Sequence, residues 1–338
     1  MRAIGYNTPL PIEQDNSLVD VDLARPSPSG RDLLVEIKAI SVNPADTKVR
    51  ANARPEANTW KVLGWDAAGV VVEVGPETTL FKPGDEVFYA GSITRPGTYA
   101  EFHLVDERIV GRKPRTLDWA ESAALPLTSI TAWESLFDRL DVNGRSVPGA
   151  APAILIIGGA GGVGSIAIQI ARKLTDLTVI ATASRPETKA WASDLGAHHV
   201  LDHSKPLAQE VAALGIGPLP FVLSTTNTDD HVSQIVELMA PQGRFALIDD
   251  PKALDVNPFK RKSISVHWEF MFTRSMFGTA DIAEQGHLLN KVSRLVDEGA
   301  IRTTLAEEFG RINASNLKRA HTLIESGRAR GKISLAGF

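Results

Sequence analysis

Five glycines fall within the seven residues Gly158–Gly164, and they constrain the fold of this chain more than any other feature. The apolar segment Ala153–Ile157 precedes them, and Ser165–Leu174, with an apolar face at helical spacing, follows them. Glycine at this density disfavours a helix interior by about 1 kcal/mol per residue. The pattern therefore predicts a buried strand, a tight turn and a helix in succession.

The glycines of this turn have the spacing Gly159-x-Gly161-x-x-Gly164. Between a strand and a helix, this spacing is typical of a backbone that approaches the pyrophosphate of a dinucleotide. The anion then lies at the helix N-terminus, where free N–H groups and the helix dipole favour negative charge. A plain glycine turn is the alternative. We expect the cofactor-binding residues of the turn to be Gly159, Gly161, Gly162, Val163 and Gly164.

The end of the next predicted strand, Thr178–Ala183, indicates which dinucleotide binds. A site for NAD(H) places Asp or Glu there to bond the ribose 2′-hydroxyl, whereas this chain has Ser184 and Arg185. A hydroxyl and a guanidinium suit the 2′-phosphate of NADP(H), which a carboxylate would repel. We therefore expect NADP(H) rather than NAD(H). Lys189, one helical turn further on, either adds positive charge or lies in solvent.

Composition excludes several classes of protein. The 338 residues include 36 Lys and Arg against 40 Asp and Glu, so the formal net charge of −4 gives no support for nucleic-acid or membrane binding. The absence of cysteine excludes disulfides, Cys-ligated zinc and thiol nucleophiles. The uncharged stretch Val147–Ala171 is long enough to cross a membrane, but its prolines and glycines argue against that. With no secretory signal at the start, a cytoplasmic protein is expected.

The chain changes character along its length, which indicates two domains. Strands joined by Gly and Pro turns dominate the first 125 residues, as in Leu33–Ile40, and suggest a small barrel or sandwich. A helical segment is expected over Ala120–Leu140. From Ala153 onward strands and helices alternate, which favours an α/β fold with a doubly wound parallel sheet. Ser263–Met271 could form the last strand of that sheet.

Further motifs resemble the medium-chain dehydrogenase/reductase superfamily over nearly the whole chain. They include Ser41–Asp46 (SVNPAD), Gly64–Val71 (GWDAAGVV) and Leu125–Trp133 (LPLTSITAW). Within the superfamily, the resemblance is strongest to quinone oxidoreductases and to a bacterial branch called zinc-type alcohol dehydrogenase-like proteins. Segments such as Pro241–Pro251 (PQGRFALIDDP) point to that branch.

This resemblance implies a GroES-like β-barrel catalytic domain over residues 1–126, completed by 273–338. It also implies a Rossmann NADP-binding domain over residues 127–272, with the active site in the cleft between the two. A homodimer is implied as well, in which the last Rossmann strand pairs with its symmetry mate. Such pairing would protect an otherwise open sheet edge.

The zinc ligands of the zinc alcohol dehydrogenases are missing from this chain. Asn43 stands where the first Cys would be, Trp65 replaces the His, and the third position falls near Ala124. A catalytic zinc site needs three protein ligands. The densest other cluster runs from His198 to His203, but it lies at a Rossmann strand end, and adjacent strand residues face opposite sides. We therefore expect no metal.

The resemblance also implies roles for single residues. Asn43 resembles the Asn that quinone oxidoreductases place beside the nicotinamide, although it could simply form a turn before Pro44. Asp46 could orient a neighbouring group, and Thr128 resembles the residue that contacts the nicotinamide face. His203 occupies a place near the adenosine 2′-phosphate or is an ordinary surface histidine. The residues that could line a flat apolar substrate pocket, or could equally be core residues, are Trp65, Phe272 and Met276.

These observations lead to one preferred function and two alternatives. The preferred function is an NADPH-dependent, zinc-independent oxidoreductase that transfers hydride to a quinone or an α,β-unsaturated carbonyl. Such acceptors do not require prior protonation, which suits a chain without an obvious general acid. The alternatives are a zinc-dependent alcohol dehydrogenase with unusual ligands and a non-catalytic NADPH-binding sensor, because a fold alone does not define a function.

Overall fold

The computed structural model describes residues 1–338 and shows two compact units. Unit 1 comprises Met1–Ile130 together with Phe272–Phe338, and unit 2 comprises Thr131–Met271. The sequence analysis expects the divisions after residues 126 and 272, and that domain assignment stays a prediction. Unit 1 is therefore built from both ends of the chain, and unit 2 is one continuous segment.

The chain forms sixteen strands and ten α-helices. The strands are β1 (Arg2–Tyr6), β2 (Val19–Asp22), β3 (Asp32–Val42), β4 (Lys61–Val62), β5 (Asp66–Val74), β6 (Glu86–Ala90), β7 (Phe102–Asp106), β8 (Val110–Arg112), β9 (Ala153–Ile157), β10 (Thr178–Thr182), β11 (His199–Leu201), β12 (Leu219–Ser224), β13 (Met239–Leu247), β14 (Ser265–Trp268), β15 (Leu305–Glu308) and β16 (Lys332–Ala336). The α-helices are α1 (Pro44–Asn52), α2 (Trp119–Ala123), α3 (Pro126–Trp133), α4 (Gly162–Leu174), α5 (Pro186–Asp194), α6 (Leu207–Ala213), α7 (Thr228–Leu238), α8 (Thr273–Phe277), α9 (Glu284–Asp297) and α10 (Ala314–Glu325).

Unit 1 is dominated by one seven-stranded sheet with the order β15-β16-β3-β5-β6-β8, in which β7 also pairs with β3. A second sheet has the order β2-β1-β4. The strand nearest the C-terminus, β16, runs antiparallel to β3 with Ser334 opposite Ser41. Consequently residues nearly three hundred positions apart in sequence are neighbours in one sheet, and this pairing completes the unit.

Unit 2 is a six-stranded parallel sheet with the order β11-β10-β9-β12-β13-β14. Numbered within the unit, the order is 3-2-1-4-5-6, which defines a doubly wound Rossmann sheet. All five residues of β9 are buried, as parallel strands covered on both faces require. The expected fold class is therefore confirmed. Ligands of such sheets bind at the carboxyl ends of the strands, where the order reverses between β9 and β12.

Several element boundaries differ from the sequence-based expectation. The single helix expected over Ala120–Leu140 is divided, because Pro126 lacks an N–H group and begins α3 as a new helix. A π-helix, Glu134–Arg139, follows α3. The last strand of the sheet, β14, is shorter than Ser263–Met271, since Ser263 has a left-handed backbone with φ of 50° that ends the preceding turn.

Two features bear on the expected partners. None of the helices combines the length and the apolar composition needed to cross a bilayer. Strand β14 lies at the edge of its sheet, and Trp268 at its end is 52% exposed. An open edge of this kind is available for strand pairing, so the homodimer stays a prediction.

Candidate functional site

The glycines of the turn between β9 and α4 serve different purposes. A Cβ on Gly159 would lie 2.7 Å from the Cβ of Ala181, and one on Gly164 would lie 2.3 Å from the carbonyl oxygen of Gly158. Both distances are too short, so strand–helix packing requires these two glycines. A Cβ on Gly161 would make only an ordinary contact, 3.5 Å from the same oxygen. The protein itself does not require glycine there, whereas a ligand lying against the backbone would.

The first turn of α4 offers unpaired N–H groups. Gly161 is the N-cap of α4 and has no side chain to cap it, so the N–H groups of Gly162, Val163 and Gly164 have no helical acceptor. The turn itself is anchored to β10, because the N–H of Gly158 donates to Thr182 Oγ1 at 3.0 Å. Free amides at the positive end of a helix dipole fit the pyrophosphate of a dinucleotide.

The expected 2′-phosphate residues lie just beyond β10, and both cations already face a carboxylate. Arg185 is the N-cap of α5, and its Nε lies 2.8 Å from Glu187 Oε1. The Nζ of Lys189 lies 2.9 Å from Asp202 Oδ2. Ser184 is exposed. A bound 2′-phosphate would therefore have to displace these carboxylates from the two cations. The free energy of its binding would be the difference between the new interactions and the ion pairs that are lost.

The imidazole of His203 is joined to the same part of unit 2. Its Nδ1 lies 3.1 Å from Thr182 Oγ1, the hydroxyl that also accepts from the glycine turn. Burial lowers the pKa of His203, with Lys189 acting in the same direction and Asp202 opposing it. The ring of His231, on α7, lies 6.5 Å away, centroid to centroid. The structure thus brings His203, Lys189 and the glycine turn together around the end of β10.

The second group of expected residues belongs to unit 1 and is buried. Asn43, 1% exposed, donates from Nδ2 to Asp66 Oδ2 at 2.8 Å, and its Oδ1 accepts a hydrogen bond from Lys332 Nζ. Lys332 Nζ also donates to Asp66 Oδ2 at 3.0 Å and to the carbonyl of Val42 at 3.1 Å. Asp66 Oδ1 accepts from the N–H of Leu127, in the first turn of α3, at 2.8 Å. Removing one partner of a buried ion pair lowers the free energy of unfolding of a protein by about 3–5 kcal/mol.

Asp46 connects this network to a second chain of hydrogen bonds. Its Oδ2 accepts from the N–H of Asn43 at 2.7 Å and from the hydroxyl of Tyr99 at 3.1 Å, while Oδ1 has no partner. The same hydroxyl lies 3.2 Å from His321 Nε2. Burial raises the pKa of Asp46 to about 7 and lowers the pKa of His321 to about 3. Asp46 therefore fixes the start of α1 and holds a proton on part of the molecules near neutral pH.

The remaining expected residues are placed less favourably for binding a substrate. Thr128 is buried, and its hydroxyl donates to the carbonyl of Leu125 at 3.2 Å. Trp65 is fully buried, donates from Nε1 to the carbonyl of Ser92, and packs edge-on against Phe272 at 5.8 Å. These contacts are those of core residues. Met276, by contrast, is 41% exposed.

The residues at the zinc-ligand positions do not form a zinc site. Asn43 is bonded to Asp66 and Lys332, Trp65 has no metal-binding atom, and Ala124 is buried and apolar. No group of three His, Cys, Asp or Glu side chains is arranged to hold a metal ion. In the cluster from His198 to His203, both ring nitrogens of His198 are occupied, by the N–H of Val179 and by Arg172.

Sequence reasoning missed several members of the buried network. Asp66 lies in the motif Gly64–Val71, whereas Tyr99, Lys332 and His321 lie outside the motifs described above. One signal was available, because Lys332 is a cation at the start of the apolar strand β16, and Asp66 is an anion at the start of the apolar strand β5. Charges at the ends of buried strands usually have partners. The partner of each could not be read from the sequence.

Comparison with known proteins agrees with the fold. The family described as zinc-binding dehydrogenase matches residues 195–335, and the alcohol dehydrogenase GroES-like domain matches residues 29–115. A zinc-type alcohol dehydrogenase-like protein of Staphylococcus aureus strain MSSA476 is 39% identical over 334 residues, which is 98% of this chain and 99% of that protein. The chain therefore belongs to the medium-chain dehydrogenase/reductase superfamily and, within it, to the zinc-type alcohol dehydrogenase-like proteins.

Solved structures extend this similarity. A protein of Rhizobium etli CFN 42, described as a candidate zinc-dependent alcohol dehydrogenase, is 70% identical with a TM-score of 0.98 and covers 100% of this chain and 98% of its own. The quinone oxidoreductase of Escherichia coli, solved in complex with NADPH, is 22% identical with a TM-score of 0.82. The similarity covers 99% of this chain and 100% of that one. At that identity the second similarity shows the fold alone. This chain is an oxidoreductase of the superfamily.

The glycine turn yields a prediction with a matched pair of variants. Gly161→Ala should weaken NADPH binding about tenfold or more with little loss of stability, because its Cβ would meet the ligand rather than the protein. Gly164→Ala should lower the thermal midpoint by several degrees, because its Cβ would lie 2.3 Å from a carbonyl oxygen. Fluorescence titration and thermal unfolding measure the two effects. Equal NADPH affinity in Gly161→Ala and the wild type would contradict this interpretation.

The pKa of Asp46 gives a prediction of pH dependence. Because burial raises that pKa from 3.8 to about 7, the stability contributed by the bound proton is present below about pH 4 and is lost as the pH rises through 7. Asp46→Asn has no such loss. Its stability relative to the wild type should therefore improve between pH 4 and pH 8, by roughly 4 kcal/mol. Unfolding curves at several pH values test this, and a constant difference would show that Asp46 is ionised throughout.

Proposed function

We propose that this protein is an NADPH-dependent, zinc-independent oxidoreductase that transfers hydride to a quinone or an α,β-unsaturated carbonyl. The observation that carries the proposal is the pairing of two features in one chain. A glycine turn presents free helix amides for a pyrophosphate, and the positions of the zinc ligands hold Asn43, Trp65 and Ala124 instead. A dinucleotide bound at this turn would supply the hydride, and no metal would polarise the acceptor.

The residues around the end of β10 support NADPH over NADH. No carboxylate occupies the place that bonds a ribose 2′-hydroxyl in NAD sites, where Ser184 and Arg185 stand. Lys189 and His203 add a cation and an imidazole close to Thr182. A 2′-phosphate is doubly charged, so it binds such a group of donors more strongly than a neutral hydroxyl does.

Asn43 is the residue we assign to the acceptor. Its Oδ1 and one Nδ2–H are taken by Lys332 and Asp66, and its remaining N–H points towards the carbonyl of Ser41 at 3.5 Å, which is a weak bond. We assign that N–H as the donor to a carbonyl or quinone oxygen on which negative charge develops. Asp46 acts indirectly, because it holds the backbone N–H of Asn43 at 2.7 Å.

Quinones and enones fit this arrangement better than simple ketones do. Charge that develops on a conjugated acceptor is delocalised, so one hydrogen-bond donor suffices, and solvent supplies the proton after the hydride arrives. The rate then depends mainly on holding the reacting atoms at the correct distance and angle. The fold is shared with an Escherichia coli quinone oxidoreductase, which makes quinones the first class to test.

The proposed activity is tested by following NADPH oxidation with a panel of quinones, enones, ketones and aldehydes. We expect steady turnover with quinones or enones, and the same rate after dialysis against a chelator. Loss of turnover on chelation and its recovery with zinc would favour a zinc alcohol dehydrogenase. Tight NADPH binding without turnover on any acceptor would favour a sensor.

The role of Arg185 in choosing the cofactor is tested by two variants that break the same ion pair. Arg185→Ala should weaken NADPH binding about tenfold or more and leave NADH binding nearly unchanged, because it removes a charge-assisted bond to the 2′-phosphate. Glu187→Gln keeps the guanidinium and removes its competitor, so NADPH binding should be unchanged or stronger. If both variants weaken NADPH and NADH alike, the ion pair only supports the start of α5.

A further inference from the structure

The ammonium of Lys332 is enclosed by oxygen atoms. The side chain is 3% exposed, and its three N–H donors meet three acceptors: the carbonyl of Val42, Oδ1 of Asn43 and Oδ2 of Asp66. An ammonium has three donors and no acceptor, so its hydrogen-bonding capacity is filled. Lys332 therefore acts as a resident cation in a buried cage of oxygens.

This cage coincides with positions at which the zinc dehydrogenases bind their metal. Asn43 stands at the position of the first ligand, and Asp66 directly follows the position of the second. A dication beside the Lys332 ammonium would be repelled, and the oxygens that face the ammonium are no longer available to a metal. The family name and the side chains of this chain therefore disagree, and Lys332 supplies a physical reason.

We propose that Lys332 is a positioning residue that takes the place of the metal by fixing which way the amide of Asn43 faces. The inference rests on the proposed reductase activity and names a residue that controls it. Asn43 Oδ1 faces a group that can only donate, and Nδ2 faces a carboxylate that can only accept. Reversing the amide would place N–H groups against the ammonium and oxygen against oxygen. One orientation is therefore favoured, and it leaves the second N–H of Asn43 for the acceptor.

The test removes both charges together, because Lys332→Met alone leaves a buried carboxylate without its counter-charge and threatens folding. In the double variant Lys332→Met with Asp66→Asn, neither charge of the Lys332–Asp66 ion pair remains. The amide introduced at position 66 can still accept from the N–H of Leu127, but it then presents a donor to Asn43, where the wild type presents an acceptor. The amide of Asn43 should consequently reverse.

For the double variant we expect near-native thermal stability, unchanged NADPH affinity and a kcat lowered by about tenfold or more. Lys113→Met is the matched control, since Lys113 is the other strongly buried lysine of unit 1, with a side chain 6% exposed, and it contacts Trp119 rather than the network. Its kcat should equal that of the wild type. A double variant that folds and turns over at the wild-type rate overturns the proposal.

A mutant cycle on kcat separates a positioning role of Lys332 from a general loss of structure. If Lys332 acts through Asn43, adding Lys332→Met and Asp66→Asn to Asn43→Ala should lower kcat little further, whereas independent contributions would multiply. Multiplied losses overturn the proposal. Should the double variant not fold, metal analysis of the wild type decides, because about one equivalent of zinc bound at Asn43 and Asp66 is incompatible with an ammonium in the cage.

Failure of the proposed function would be recognised separately. A wild type that oxidises no NADPH with any acceptor rejects the proposed reductase activity but leaves the orientation of the Asn43 amide testable in a neutron structure of the double variant, which shows the amide hydrogens. Asn43 Oδ1 facing position 66 in that structure supports the positioning role of Lys332. Asn43 Nδ2 still facing position 66, as in the wild type, overturns it.

Discussion

The carboxylate of Asp66 is the interaction on which the arrangement of unit 1 depends. Its two oxygens accept hydrogen bonds from Asn43, Lys332 and the N–H of Leu127. A charged group with no access to water is tolerated only when its neighbours replace the lost hydration. The loop before α1, the start of α3 and the strand β16 must therefore converge on the start of β5 at the same time. The relative positions of these elements therefore depend on the hydrogen bonds that one buried carboxylate requires.

Local patterns in the sequence predicted the fold well, because those patterns are short. The glycine turn, the apolar strand β9 and the alternation that follows each depend on neighbours within a few residues, and the parallel sheet follows from them. The buried network depends on residues up to 290 positions apart, and no periodicity reports such a pairing. Apolar residues proved ambiguous for another reason. Trp65 and Phe272 are as apolar as pocket residues are, but they are buried against one another.

The two units use charge in opposite ways. In unit 1 the ammonium of Lys332 is sealed from solvent, so its partners are permanent and its role is to fix geometry. In unit 2 the cations Arg185 and Lys189 are 38% and 37% exposed and are paired with carboxylates that can be displaced. Exposed pairs contribute little to stability, which makes their partners easy to exchange. Rigid charges suit the orientation of a reacting group, and exchangeable ones suit the recognition of a ligand that must leave.

The antiparallel pairing of β16 with β3 also has a consequence for biosynthesis. A ribosome delivers Asp66 266 residues before Lys332, so the anion emerges long before its counter-ion. The continuous segment Thr131–Met271 can complete its sheet in the interval, whereas the N-terminal strands must wait with an unneutralised carboxylate. We therefore expect Met1–Ile130, although translated first, to complete its fold after unit 2.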